Sequence, residues 1–205
     1  MYRRSSSPVR QKKCPPVVQE ALDSGLDAKD ILNTMIDAMS VVGDRFSRNE
    51  IFVPKMLVAA KAKKKGVDVL KPHLSDGSVG SMGKMIMGTV AGDLHDIGKN
   101  LVIMMIESAG FEVIDLGVDV PKVRFVEAVR ETPDVKIVGL SALLTTTMPA
   151  MEEAVALLNE QDFRKDIKIM VGGAPITQAF ADKIGADAYT EDAASAAMMA
   201  KKLVD

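Results

Sequence analysis

Residue types that do covalent or metal chemistry are scarce: one cysteine, two histidines and no tryptophan in 205 residues. A lone thiol, Cys14, permits no internal disulfide and fits a reducing compartment. Aromatics make up only 4 % of the chain, too few to build a base-stacking surface. No apolar run is long enough to span a bilayer. Arg3-Arg4 is followed by Ser5-Ser6-Ser7-Pro8 rather than by an apolar region, so an export signal is not expected and a cytoplasmic location is. An excess of one charge is missing too. A net charge of -2 gives no bulk attraction to nucleic acid or anionic membrane. What is present is ordinary globular material, 47 % hydrophobic and 26 % charged, with fourteen methionines that suit irregular or adaptable packing.

The chain reads as two kinds of structure. Residues 1–15 form a basic, Ser- and Pro-containing tail that is not expected to fold alone. Residues 16–74 read as helical. Pro15-Pro16 opens a short helix closed by Gly25, and Asp27 is a good N-cap for the next. Ile31, Met35, Met39 and Val42, with Leu32, Ile36 and Phe46 beside them, recur at a 3.6-residue period. Pro54 starts a third helix that continues towards Leu70, with Lys61, Lys63, Lys64 and Lys65 as a solvated face. Ser- and Gly-rich residues 75–83 read as a linker. From Lys84 to Asp205 strands and helices alternate. Strands are predicted at 84–90, 111–116, 136–141, 167–171 and 185–190, and helices at 97–109, 121–131, 149–160, 175–183 and 192–203. This rhythm gives an α/β domain with a flavodoxin- or Rossmann-like five-stranded parallel sheet, preceded by a small all-α helical-bundle cap. The expected strand order is 2-1-3-4-5, with a ligand crevice over the ends of the first and third strands.

The densest chemistry is Gly92-Asp93-Leu94-His95-Asp96-Ile97-Gly98-Lys99-Asn100, at the expected end of the first strand. As a phosphate loop it has two faults: five residues separate Gly92 from Gly98 where four are needed, and Asn100 stands where a Ser or Thr should meet magnesium. A dinuclear or zinc site needs more imidazoles and thiolates than two histidines and one cysteine supply. His95 could be a plain loop residue hydrogen-bonded to Asp93. Yet a carboxylate holding one imidazole nitrogen is also the usual support of a metal-ligating histidine. A single protein ligand suits a metal whose other positions a macrocycle already fills.

That nonapeptide, followed by Ser141-x-Leu143 and then Gly172-Gly173, resembles the cobalamin-binding domain in its base-off, histidine-on form. Val42-Gly43-Asp44-Arg45-Phe46 and Phe52-Val53-Pro54 resemble the helical cap that precedes it in corrinoid methyl carriers. These include methionine synthase and the small corrinoid proteins of methanogenic and acetogenic methyltransferase systems. The resemblance covers about residues 17–205. It implies that His95 is the lower cobalt ligand, Asp93 its hydrogen-bond partner and Ser141 the next member of the relay. Gly92, Leu94, Asp96, Ile97 and Gly98 would complete the loop around the cofactor. A displaced nucleotide tail would thread between strand ends, lined by Ser141, Leu143 and Thr145, with Gly98, Gly139, Gly172 and Gly173 leaving room for it. Phe52 and Met56 would lie in the cap above the corrin face, or else serve as bundle core.

By the same resemblance the cofactor is cobalamin, as methylcobalamin, cob(I)alamin or a related corrinoid, with its cobalt. The activity implied is carriage of a methyl group between a substrate-specific methyltransferase and an acceptor methyltransferase, with a reductive activase as third partner. The linker at 75–83 would be the hinge. One departure stands out: the family's extra helix ahead of Val17 is replaced here by a polar, proline-containing stretch. The cap is then a three-helix remnant, is completed by a partner chain, or uses the tail. Two other classes share the motif: a cobalamin-binding sensor, for which no DNA-binding helix-turn-helix is found, and the cobalamin subunit of a mutase, which the cap disfavours.

Overall fold

The computed structural model describes residues 14–48, 50–74 and 82–204. Contacts divide the chain into two compact units, residues 1–80 and 81–205. The expected tail, up to residue 13, and the expected linker, up to residue 81, lie outside the described residues.

The first unit is built from α1 (Cys14–Asp23), α2 (Ala28–Ser47) and α3 (Val53–Leu70). Helix α1 begins at Cys14, so the expected tail boundary at residue 15 falls just inside a helix. Gly25 takes a left-handed φ of +87°, which lets the Leu26 N–H reach back to the Ala21 carbonyl and ends α1. The Asp27 carboxylate then accepts from the Lys29 N–H at 2.8 Å and starts α2. Val18, Ala28, Leu32, Ile36, Leu70 and Leu74 form the core, with Met35, Ile31 and Val67 packed against it. Lys63 departs from the expected solvated lysine face and is buried. The helical period explains it, because Lys63 falls on the same α3 stripe as Met56, Ala60 and Leu70.

In the second unit β1 (Lys84–Thr89), β2 (Glu112–Asp115), β3 (Val135–Ser141), β4 (Lys168–Gly172) and β5 (Ala188–Thr190) form one sheet. The order is β2-β1-β3-β4-β5, and every neighbouring pair is parallel. Five helices follow the strands: α4 (Ile97–Ser108), α5 (Lys122–Glu131), α6 (Met148–Asn159), α7 (Gln178–Ile184) and α8 (Ala193–Val204). The fifth strand is shorter than predicted because Gly185, at φ +77°, is spent closing α7. Two 3-10 turns, Thr145–Thr147 and Asp162–Asp166, were not legible in the pattern.

Side chains alternate across the sheet. Ile86, Val138, Leu140, Ile169 and Val171 share the main core with Phe125 and Val129 of α5 and with Met151, Val155 and Leu158 of α6. Met85, Met87, Ile137 and Met170 occupy the alternate positions and are buried as well. A sheet covered on both faces needs such continuous apolar strands, which is why β1 and β3 show no polar alternation.

Phe125 is fully buried, and its ring fills the space that Gly88 leaves open on β1. Phe125→Ala should therefore lower the unfolding free energy of the sheet unit by about 3–5 kcal/mol, read as a lower denaturant midpoint.

Candidate functional site

Strand β1 is the switch point of the sheet: its chain neighbour β2 lies on one side and β3 on the other. The loops after β1 and β3 therefore leave in opposite directions and open a crevice between them. Gly92 sits in the first of these loops with φ +81°, a left-handed turn that a side chain would resist. It drops Asp93 inward, where the residue is fully buried.

All the polar capacity of the Asp93 carboxylate is used. Oδ1 accepts from the His95 N–H at 3.0 Å and pairs with His95 Nδ1 at 2.7 Å. Oδ2 accepts from the Leu143 N–H at 2.7 Å and from the Thr147 hydroxyl at 2.9 Å. Burial alone would raise the Asp93 pKa, but the N–H donors of Leu143 and His95, the imidazole and the Thr147 hydroxyl outweigh it. The carboxyl is held well below the usual carboxylate range. The carboxylate at 2.7 Å engages Nδ1 and makes it the donor of the pair, so that Nε2 is the ring nitrogen left facing outward from it. The His95 side chain is half exposed while Asp93 is not. The Thr89 hydroxyl donates to the His95 carbonyl at 2.9 Å and ties the loop back onto β1.

The expected relay is corrected at one position. The hydroxyl on Asp93 belongs to Thr147 rather than to Ser141. Ser141 is the last residue of β3, aligned with Thr89 and Gly172, so its side chain follows the strand alternation. Thr147 lies one 3-10 turn further on, where the chain curls back over Asp93. The signal available in the sequence was the hydroxyl run Thr145-Thr146-Thr147, and only the turn decides which member points inward. Thr145 itself is exposed.

The glycines divide in the same way. At Gly173, φ +129° and the Ala142 carbonyl oxygen together exclude any side chain, so this glycine serves the approach of two backbones. A Cβ on Gly172 would stand 3.1 Å from the Thr190 carbonyl oxygen, and the space beside Gly139 holds the side-chain ends of Met85 and Met87. Beside Gly98 there is open space. Leu94, Leu143 and Leu144 on the two crevice loops, and Ile97 at the start of α4, are large apolar residues left exposed. Asp96 heads α4 and accepts from Asn100 Nδ2 at 3.1 Å. Lys99 is committed elsewhere: its buried Nζ lies 2.6 Å from Asp115 Oδ1, which removes it from any phosphate-loop role. Phe52 and Met56 belong to the helical unit, Phe52 exposed at the head of α3 and Met56 buried.

Among the described residues no three His, Cys, Asp or Glu side chains are grouped to hold a metal ion. One imidazole nitrogen turned away from the carboxylate, with exposed leucines and an isoleucine on the neighbouring residues, fits a metal that arrives inside a flat, largely apolar macrocycle. Comparison with known proteins agrees. The model of the B12 binding domain matches residues 83–198, and a second B12 binding domain model matches residues 10–71. The chain belongs to the B12-binding domain family. "Dimethylamine corrinoid protein 1" of Methanosarcina acetivorans is 48 % identical over 87 % of this chain and 84 % of its own. "Dimethylamine corrinoid protein 3" of Methanosarcina mazei is 49 % identical over 81 % of this chain and 99 % of its own. Among solved structures, a cobalamin-binding protein from Desulfitobacterium hafniense superposes with a TM-score of 0.81 at 34 % identity, covering 95 % of this chain and 93 % of that one. The methanol:cobalamin methyltransferase complex of Methanosarcina barkeri gives 0.81 at 29 % identity, covering 95 % and 74 %. Within its family this chain stands among the corrinoid methyl carriers, and its cofactor is cobalamin or a related corrinoid with cobalt at the centre.

The buried carboxylate gives a stability prediction for the cofactor-free protein. Asn in place of Asp93 turns an amide NH2 towards groups that themselves donate, so Asp93→Asn should destabilise by about 1–3 kcal/mol at neutral pH. Because the folded pKa of Asp93 is depressed, its contribution is complete above the unfolded value of about 3.9 and fades as pH falls through the folded one. Denaturant midpoints of the two proteins should differ most near neutrality and converge in acid.

Proposed function

We propose that this corrinoid protein carries a methyl group on cobalt between two methyltransferases, with His95 as the protein's own cobalt ligand. The observation that supports it is the pairing of His95 Nδ1 with the buried, ionised Asp93 at 2.7 Å, which leaves Nε2 as the donor. The corrin cobalt supplies the methyl-transfer chemistry, and the protein supplies position and electrostatics. Asp93 fixes the tautomer and ring orientation of His95 and strengthens the imidazole as a donor. Leu143 N–H and the Thr147 hydroxyl hold Asp93 in place.

The loop residues Gly92, Leu94, Asp96, Ile97 and Gly98 border the cofactor, and Leu143, Thr145, Gly172 and Gly173 border its nucleotide tail. Residues 16–74 act as the cap domain, with Phe52 as its exposed aromatic, and 84–205 as the cofactor domain. Corrinoid proteins of this kind work with methyltransferases. The partners here are a substrate-specific methyltransferase, an acceptor methyltransferase and a reductive activase, in the cytoplasm. A methylated amine is the favoured donor class, supported by relatives named for dimethylamine at 48 % identity and for trimethylamine at 46 %. No helix among the described residues is long and apolar enough to cross a membrane.

Reconstituted with cobalamin and reduced to Co(II), the protein should show coupling of the unpaired electron to one imidazole nitrogen in its electron paramagnetic resonance spectrum. His95→Ala should abolish that coupling. Thr147→Val should weaken coordination through Asp93, whereas Ser141→Ala should leave the nitrogen signal unchanged. Coupling that persists in His95→Ala would transfer the ligand role to the cofactor's own base and overturn the assignment.

A further inference from the structure

The loop that carries His95 is gripped from a second side, by a residue that has no place in the relay. Beyond the end of β2 the chain runs Gly117-Val118-Asp119-Val120 alongside the end of β1. The Thr89 N–H donates to the Gly117 carbonyl at 3.0 Å, and the Val120 N–H donates to the Thr89 carbonyl at 2.9 Å. Between these bonds Asp119 adopts φ +53°, one of two non-glycine residues with positive φ among those described. Its N–H donates to the Asp93 carbonyl at 2.9 Å, and its carboxylate Oδ1 accepts from the Gly92 N–H at 2.7 Å. One residue thus closes both ends of the Gly92-Asp93 segment. The residue is exposed, so burial does not account for it. Glycine would take the left-handed turn more easily but could not supply the carboxylate.

We propose that Asp119 is a positioning residue for His95: a clasp on Gly92-Asp93 that fixes the backbone from which the imidazole is aimed. The proposal rests on His95 being the cobalt ligand. Gly92 is the pivot of the loop, since a glycine at φ +81° has neighbouring conformations open to it. The anionic acceptor on its N–H removes that freedom with a stronger bond than a neutral group would make. The opposite side of the segment is already held through the Asp93 carboxylate by Leu143 and Thr147. Together the two loops leave His95 one orientation, and the ligand geometry is prepared before cobalamin arrives.

The test compares Asp119→Gly, Asp119→Ala and Asp119→Asn with the unaltered full chain. Cobalamin affinity would be followed by absorbance, the share of Co(II) coupled to one nitrogen by paramagnetic resonance, and folding by thermal melting. Asn keeps an acceptor and tolerates the left-handed turn but makes the weaker, neutral bond, so its losses in binding and coupling should be smaller than those of Gly and Ala. Gly and Ala remove the acceptor. They should weaken cobalamin binding roughly five- to tenfold, less than the full loss of a hydrogen bond to a charged group because Asp119 acts on the cofactor only through His95, and lower the coupled share. Where Ala fails to fold, Gly carries the test, because it adopts φ +53° without strain. A Gly variant with unaltered affinity and coupling, whatever its melting temperature, would overturn the clasp while leaving the His95 ligand intact. Absence of nitrogen coupling in the unaltered chain would instead overturn the ligand assignment, and the clasp with it.

Discussion

Everything at the crevice depends on one buried charge. The Asp93 carboxylate is removed from water, which would drive it to its neutral form if nothing else acted on it. Four donors from two loops reverse that preference. The consequence is structural as well as electrostatic. Each donor must stand within hydrogen-bond reach of the same two oxygens, so the loop after β1 and the loop after β3 are fixed relative to each other. Removing the charge unties the two loops from each other, which makes Asp93 the joint of the site and His95 its exposed end.

The neighbouring side chains are arranged so that this joint is not disturbed. Lys99 lies in the first turn of α4, where a cation is poorly placed against the helix dipole, and its side chain is almost wholly buried. Asp115, at the end of β2, neutralises it at 2.6 Å and also accepts from the Gly117 N–H at 2.9 Å. One ion pair thereby anchors both the start of α4 and the start of the segment that leads to Asp119. The three connections around β1 are tied to one another by carboxylate acceptors as well as by backbone hydrogen bonds. Leu94, Ile97, Leu143 and Leu144 are left outward, exposed apolar side chains beside a polar joint.

Much of this architecture was legible in the linear pattern. Strand and helix periods are local properties, so all five strands, their order and the five following helices could be read from residues 84–205. The helix ends at Gly25 and Asp27 could be read as well, because capping chemistry acts within three or four residues. Asp93 and His95 stood out as a pair two residues apart, close enough to interact whatever the rest of the chain did. The burial of Lys63 follows from its place in the helical period, which outweighs the charge it shares with its lysine neighbours.

The sequence by itself determined the fold class, the crevice position and the pairing of Asp93 with His95, since each follows from spacing along the chain. Only the tertiary structure decided which hydroxyl reaches Asp93. Ser141, Thr145 and Thr147 lie within seven positions of one another, but a strand end, an exposed turn and a buried turn send them in different directions. It also decided that Gly173 serves a backbone contact with Ala142, which no local rule foretells. Asp119 belongs to the same group. Its bond to Gly92 spans 27 positions, a distance over which the sequence carries no sign of contact until the sheet closes it.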